Sequence, residues 1–189
     1  LDAETNKTYE FYAKVIFLNA STINSAWVLM NSATDIWPGG LCSSSGELGH
    51  NLMDHHLGVG ASGSVEGYED KYYFGRRANG IYIPRYRNLN GEKRDYIRGF
   101  GYQGRASRES WSRSIPEYSI GADFKDALSE PGEWRMNIGG FGETLPYHQN
   151  VVTLDKDKKD KWGLPVPAID AIIRDNENKM RIDMLNDAK

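Results

Sequence analysis

A single cysteine, Cys42, stands in a chain of 189 residues, so neither an internal disulfide framework nor a multi-cysteine zinc site holds this fold together. Long apolar runs are missing too. A membrane-spanning helix needs roughly 18 consecutive apolar residues, and nothing in the sequence approaches that. Charge of one sign is not in excess: 23 Lys and Arg against 26 Asp and Glu leave a net charge of -3, which gives no counterion-release drive toward nucleic acid. Leu1-Asp2-Ala3-Glu4 carries neither an initiator Met nor a charged segment leading into an apolar one. No signal peptide is visible, the chain reads as one entered partway through, and the compartment stays open. What is present is 39% hydrophobic and 12% aromatic residues, which is too rich for a disordered tail and enough for one domain, or a small domain plus part of another.

The order of segments predicts an α+β chain. Thr8–Leu18 begins with alternation and ends in the apolar run Val15-Ile16-Phe17-Leu18, which suits a strand buried on both faces in a parallel sheet. Asn19-Ala20-Ser21-Thr22 supplies small and capping residues, and Ile23, Ala26, Trp27 and Met30 follow at helical spacing. Strand, tight turn and helix place free N–H groups at the carboxyl edge of a sheet, where a phosphate or other electron-rich group can be held; an ordinary ligand-free connection is the other reading. Thr34–Gly49 is rich in Gly, Ser and Pro and reads as a long loop. From Leu57 the texture changes to short aromatic and β-branched runs. Lys71–Phe74, Gly80–Tyr86, Tyr96–Tyr102 and Trp134–Ile138 read as strands of an antiparallel sheet, with Asn90-Gly91 the best hairpin turn and Ser119–Leu128 a short helix. A strand at Val151–Leu154, a charged segment at Asp155–Lys161, a rigid Trp162–Pro167 and an apolar Ala168–Ile173 lead into a helix from about Asn176, with Met180, Met184 and Leu185 on one face. That helix has no Gly or Pro to stop it, so the C-terminus also reads as cut.

Gly58, Gly60 and Gly63 spell the dinucleotide fingerprint, but the fingerprint needs a strand before it and a helix after it. Here it leads into Ser64-Val65-Glu66-Gly67-Tyr68, and a glycine-rich strand or bulge is the better account. His50 and Asp54 at i, i+4, with His55 and His56, suggest a metal pair, yet the only other histidine is His148 and no shell is completed. Asp155, Asp157 and Asp160 lack the glycine and terminal Glu of a calcium loop and read as a solvated turn. Ser43–Ser45 and Ser62 lack the nucleophile-elbow context, and Glu47, Asp54 and Glu143 show no spacing that selects an acid–base pair. No catalytic residue and no metal ligand is assigned.

Two stretches resemble a known family. Val15–Ser32 (VIFLNASTINSAWVLMNS) followed by Gly46–His55 (GELGHNLMDH) is similar to the middle of the glucose-methanol-choline (GMC) flavin oxidoreductases. Leu145–Met180, with its N-x-V-x-L-D, W-G-L-P-V-P and D-N-E pieces in order, is similar to the family's later substrate-domain segment. Together the two cover somewhat under half the chain.

The resemblance implies FAD as cofactor, with Asn19, Ala20, Ser21 and Asn24 near it and Asn51 and Asp54 in a segment packed against it or its cover. It implies residues 1–56 as part of an FAD-binding α/β domain, contributing a strand–helix piece, and 57–189 as a substrate domain whose antiparallel sheet roofs the flavin. The family's N-terminal βαβ unit and the segment with its catalytic His are absent from this sequence, so an inactive internal fragment is expected, whose partners are the missing flanking segments and a small alcohol or sugar. Arg and Tyr between Tyr72 and Arg113 suit a polyhydroxylated substrate. The rival reading is a non-enzymatic carbohydrate- or protein-binding β-rich module.

Overall fold

The computed structural model describes residues 2, 4–68, 80–109, 113, 115 and 120–189. The chain is mixed α and β, and it groups into two compact units: Leu1–Met53 with Pro146–Ile172, and Asp54–Leu145 with Ile173–Lys189.

The second unit is built on four antiparallel strands, β1 (His55–Ser64), β2 (Gly80–Ile83), β3 (Phe100–Arg108) and β4 (Trp134–Glu143), in the order β1-β4-β3-β2. Helix α2 (Ala122–Ser129) lies in the β3–β4 connection and α3 (Asp175–Ala188) covers one face of the sheet. The register puts Phe100 opposite Gly142 and Tyr102 opposite Gly140, with His56 and Val59 next on β1. Phe100, Tyr102, Val59, Met180, Met184 and Ala188 are buried together as the core. Glycine at 140 and 142 lets the helix settle: a Cβ at Gly140 would overlap Met184 Sδ, and one at Gly142 would stand 2.8 Å from Met180 Sδ. The i, i+4 methionines therefore occupy the space that two missing side chains leave on the sheet.

Glu177, fully buried in the first turn of α3, accepts N–H groups from Leu145 (3.0 Å) and Arg174 (3.3 Å). These bonds meet the demand of a buried carboxylate and of a helix start at the same time. The β2–β3 connection is tied to the same helix. Tyr96 donates its hydroxyl to Asp183 at 2.6 Å, Arg87 meets Asp183 and Asp187 at 3.3 and 2.6 Å, and Ile97 N–H reaches Asn176 Oδ1 at 2.8 Å.

The Gly58-Gly60-Gly63 pattern is strand throughout. The β1–β4 register shifts between His56 and Val59, where Gly58 takes φ 76°, and Arg181 donates to the carbonyls of Leu57 and Gly58. The bulge explains the first glycine, and the close carbonyl of Ile138 explains the second. Asn90-Gly91 forms the turn its residues predict, with both φ positive (53° and 89°) and Glu92 N–H on Leu89 C=O at 3.0 Å. It sits inside the long β2–β3 connection and does not join the strands directly. The strand expected at Lys71–Phe74 lies outside the described residues, as do Tyr72 and Ser119; α2 begins at Ala122.

In the first unit, α1 (Thr22–Asn31) packs on a ribbon of β5 (Val151–Lys159) and β6 (Pro165–Asp170). Trp27 donates its indole N–H to Pro165 C=O at 2.6 Å. Gly49 accepts Val152 N–H at 2.8 Å and leaves no room for a side chain between Val152 and Met30. The helix expected after Thr22 is present, but the strand expected at Thr8–Leu18 is not: these residues are irregular and exposed, Phe11 at 88%, Tyr12 at 89% and Phe17 at 81%. A strand needs a hydrogen-bonded neighbour, and no described segment pairs with this one.

Candidate functional site

Ser21 precedes α1 with φ 67° and ψ 165°, and among the described residues it makes no side-chain capping hydrogen bond to the helix. The left-handed backbone at a non-glycine residue turns the chain sharply, and the first-turn amides carry the positive end of the helix dipole. Asn19 and Asn24 are exposed and Ala20 half-buried, so all four expected residues gather around one uncapped helix start.

Asn51 belongs to a second cluster in the same unit. With φ 61°, it donates its side-chain amide to Glu47 at 2.5 Å; Glu47 lies 3.7 Å from His148 Nε2. The rings of His148 and His50 stack at 3.9 Å and 17°, and His50 Nδ1 sits 2.7 Å from the carbonyl of His148. Among the described residues no hydrogen bond links Asn51 to the start of α1. Asp54, in the second unit, is spent on its surroundings: its carboxylate accepts His55 N–H at 2.7 Å, and it exchanges backbone bonds with Thr144 Oγ1.

Residues 50–54 are not helical, so His50 and Asp54 share no helical face. Among the described residues no group of three or more His, Cys, Asp or Glu side chains is placed to hold a metal ion. Asp155 accepts N–H groups from Asp157 and Lys158, which pulls its pKa below the usual carboxylate range, and Asp160 caps Trp162 and Leu164. His55 rests edge-on against Phe141 at 6.0 Å. His56 is buried beneath α3, and among the described residues neither of its ring nitrogens has a hydrogen-bond partner. Burial first, and Arg181 second, push its pKa down, while Glu177 opposes them.

The sheet face opposite α3 carries a different set. The register aligns Tyr82, Gln103, Gly139 and Gly60 in one row and Gly80, Arg105, Asn137 and Ser62 in the next, with Gly101 and Phe141 above them. Tyr82, Gln103, Arg105, Asn137 and Ser62 are exposed. A Cβ at Gly139 would meet nothing nearer than Gln103 O at 3.9 Å, so the floor between these side chains is open. Arg and Tyr were legible in the sequence as polar-face residues; Gln103, Asn137 and Phe141 were not singled out, although alternation along β3 and β4 could have found them.

No family model matches the chain. It is 32% identical over 178 residues to a 2-methyl-1,2-propanediol dehydrogenase of Mycolicibacterium austroafricanum, an alignment covering 89% of this chain and 31% of that protein. It is 24% identical over 164 residues to a fructose dehydrogenase large subunit of Gluconobacter japonicus, covering 86% of this chain and 30% of that one. The chain thus spans about a third of the length of these curated relatives, and both are dehydrogenases, one named for a diol and one for a sugar. Among the described residues no helix is long and apolar enough to cross a membrane.

Proposed function

We propose that these residues form an interior portion of a GMC-type flavin oxidoreductase that oxidises a CH–OH group, with 1–56 contributing to the flavin domain and 57–189 to the substrate domain. The observation that carries the reading is the exposed apolar run Val15-Ile16-Phe17-Leu18 (66, 78, 81 and 39% exposed) directly before the uncapped α1. A large contiguous apolar stretch in water marks a surface that another segment covers. Strands of a parallel sheet, supplied by polypeptide beyond these residues, would cover it, and the turn at Asn19–Ser21 would then stand at the sheet's carboxyl edge. Similarity to two dehydrogenases about three times as long supports the same reading.

The chain's own residues fit a nucleotide cofactor at one point, the α1 start. Its first-turn N–H groups, without a side-chain cap among the described residues, suit an anionic or carbonyl oxygen, with Asn19, Ala20, Ser21 and Asn24 around them; Asn51 and Asp54 enter the reading through the family resemblance alone. When bound, FAD would accept the hydride from the alcohol carbon. No residue of this chain is assigned as the base that takes the alcohol proton.

Expression of the full-length protein tests this. The expected product is yellow, and Ser21→Trp, which crowds the helix start, yields mostly colourless protein with α1 intact by far-UV dichroism. A full-length protein that binds glycans on its β-rich unit and never carries flavin would instead favour the rival binding module.

A further inference from the structure

β1 ends at Ser64, β3 ends at Arg108 and β4 begins at Trp134, so these three strand ends share one end of the four-stranded sheet, the end opposite His55 and Glu143. A cavity of about 500 Å³ opens there, with Glu66, Glu130, Glu133, Trp134, Pro131 and Arg108 on its walls. That volume falls within the range of small-molecule pockets, roughly 300–1,000 Å³.

Backbone bonds anchor the wall. Arg113 donates to the carbonyls of Ala127 and Glu130 at 2.8 and 2.7 Å, and Arg108 to that of Gly132 at 2.8 Å. Glu109 N–H bonds the carbonyl of Glu133 at 2.9 Å, and Val65 N–H that of Trp134 at 2.7 Å. A Cβ at Gly132 would stand 2.5 Å from Glu109 Cβ, so the segment also packs closely against the end of β3. Glu130, Glu133 and Trp134 thus project from a tethered backbone, and such preorganisation lowers the ordering cost of binding.

The charge on the walls is unequal. Three carboxylates face one guanidinium, and that guanidinium is turned to the Gly132 carbonyl. Glu133 accepts Ser64 Oγ–H at 2.8 Å, whereas Glu66 and Glu130 have no ion pair or side-chain hydrogen bond among the described residues. Carboxylates gathered around one cavity repel one another, and a cation between them relieves the repulsion. They do not converge on a point: among the described residues no three His, Cys, Asp or Glu side chains are placed to hold one metal ion. An extended cation suits them, its charges separated by short apolar links. Pro131, Val65 and Trp134 offer those links apolar walls, and an indole face attracts an ammonium group.

We propose that this end of the sheet binds an aliphatic polyamine, its ammonium groups on Glu66, Glu130 and Glu133 and its methylenes along Trp134 and Pro131. The site goes beyond the oxidoreductase reading and does not rest on it.

Calorimetry on the full-length protein with spermidine, n-butylamine and calcium chloride is the test. Spermidine is expected to bind at least about tenfold more tightly than butylamine, the worth of one further charge-assisted contact, and to weaken as salt rises. Equimolar calcium should not displace it. The double variant Glu66→Gln/Glu130→Gln loses about tenfold or more in spermidine affinity with an unchanged melting temperature, since neither carboxylate has a partner among the described residues. Glu10→Gln, outside the cavity, removes the same charge without that loss. Absence of spermidine binding, equal binding of butylamine, displacement by calcium, or equal effects of Glu10→Gln and the double variant would each overturn the proposal; the last would mean diffuse attraction to an acidic protein. Flavin is read separately by colour. A colourless protein that binds spermidine as described leaves this site standing and removes the oxidoreductase reading, whereas a yellow protein indifferent to spermidine does the reverse.

Discussion

Met184 Sδ occupies the place where a Cβ on Gly140 would stand, while the neighbouring Gly139 points its missing side chain into open space on the other face of β4. Two adjacent glycines in one strand thus have opposite requirements. Gly140→Ala forces Met184 from its seat and is expected to destabilise the protein by about 1–3 kcal/mol, the range for overpacking a filled core. Gly139→Ala should be neutral or slightly stabilising, because alanine in a strand loses less backbone entropy. Urea unfolding of the two variants in parallel checks the contrast; equal effects would mean that α3 does not pack on β4 as described.

His56 makes stability depend on acid. Its folded pKa lies below the ordinary value of 6.5, chiefly through burial, so the unfolded chain takes up a proton more readily than the folded one. The contribution is absent well above pH 6.5 and grows as pH falls below it, where the folded state loses ground. His56→Leu removes two unsatisfied nitrogens and is expected to raise stability by about 1 kcal/mol even at neutral pH. It should also flatten the acid limb of a melting-temperature profile between neutrality and pH 5.

Tyr96 gives the alkaline counterpart. Burial, and then its bond to Asp183, raise its pKa well above the ordinary 10.0; burial similarly pushes Tyr102 up to about 12. A raised value in the folded state means that stability is intact below pH 10 and is lost as pH climbs above it. Tyr96→Phe should cost about 1 kcal/mol at neutral pH through the lost hydrogen bond and should soften the alkaline fall, measured by thermal unfolding between pH 8 and 11.

The apolar run before α1 yields opposite outcomes in two settings. Phe17→Asp in the 189-residue chain is expected to improve solubility and reduce dye binding to exposed apolar surface, because Phe17 is 81% exposed there. In a longer protein whose parallel sheet covers this run, as proposed above, the same change would place a charge between sheet and helix and should abolish soluble flavin-bound protein. Light scattering and flavin content distinguish the two.

Much of the second unit was readable. Met180 and Met184 announced the buried face of α3 by spacing, although Leu185, read onto the same face, is 39% exposed and Ala188 closes the face instead, and the wrong context of the Gly58 pattern already marked a strand with a bulge. Strand ends were less legible, for a physical reason. Gly139, Gly140 and Gly142 look like breakers, so β4 was expected to stop at Ile138 and instead runs to Glu143, since two of those glycines make room for α3. Tyr96 was read into a strand that begins at Phe100, because a buried tyrosine in a loop anchored to a helix resembles a strand tyrosine in composition. The charged stretch after Leu154 continues β5 because a two-stranded ribbon leaves its side chains in water. Around the candidate cofactor site, local residues predicted the turn and helix but not the His50–His148 stack, whose partners lie far apart in sequence and meet only through the fold.

Our proposal makes this chain part of a flavin enzyme that oxidises a CH–OH group. The decisive experiment is anaerobic mixing of the full-length protein with an alcohol deuterated at its carbinol carbon. The flavin is expected to bleach, and more slowly with the deuterated alcohol than with the protonated one, since the C–H bond breaks as hydride leaves. A protein without flavin, or a flavin that no alcohol bleaches, would contradict it.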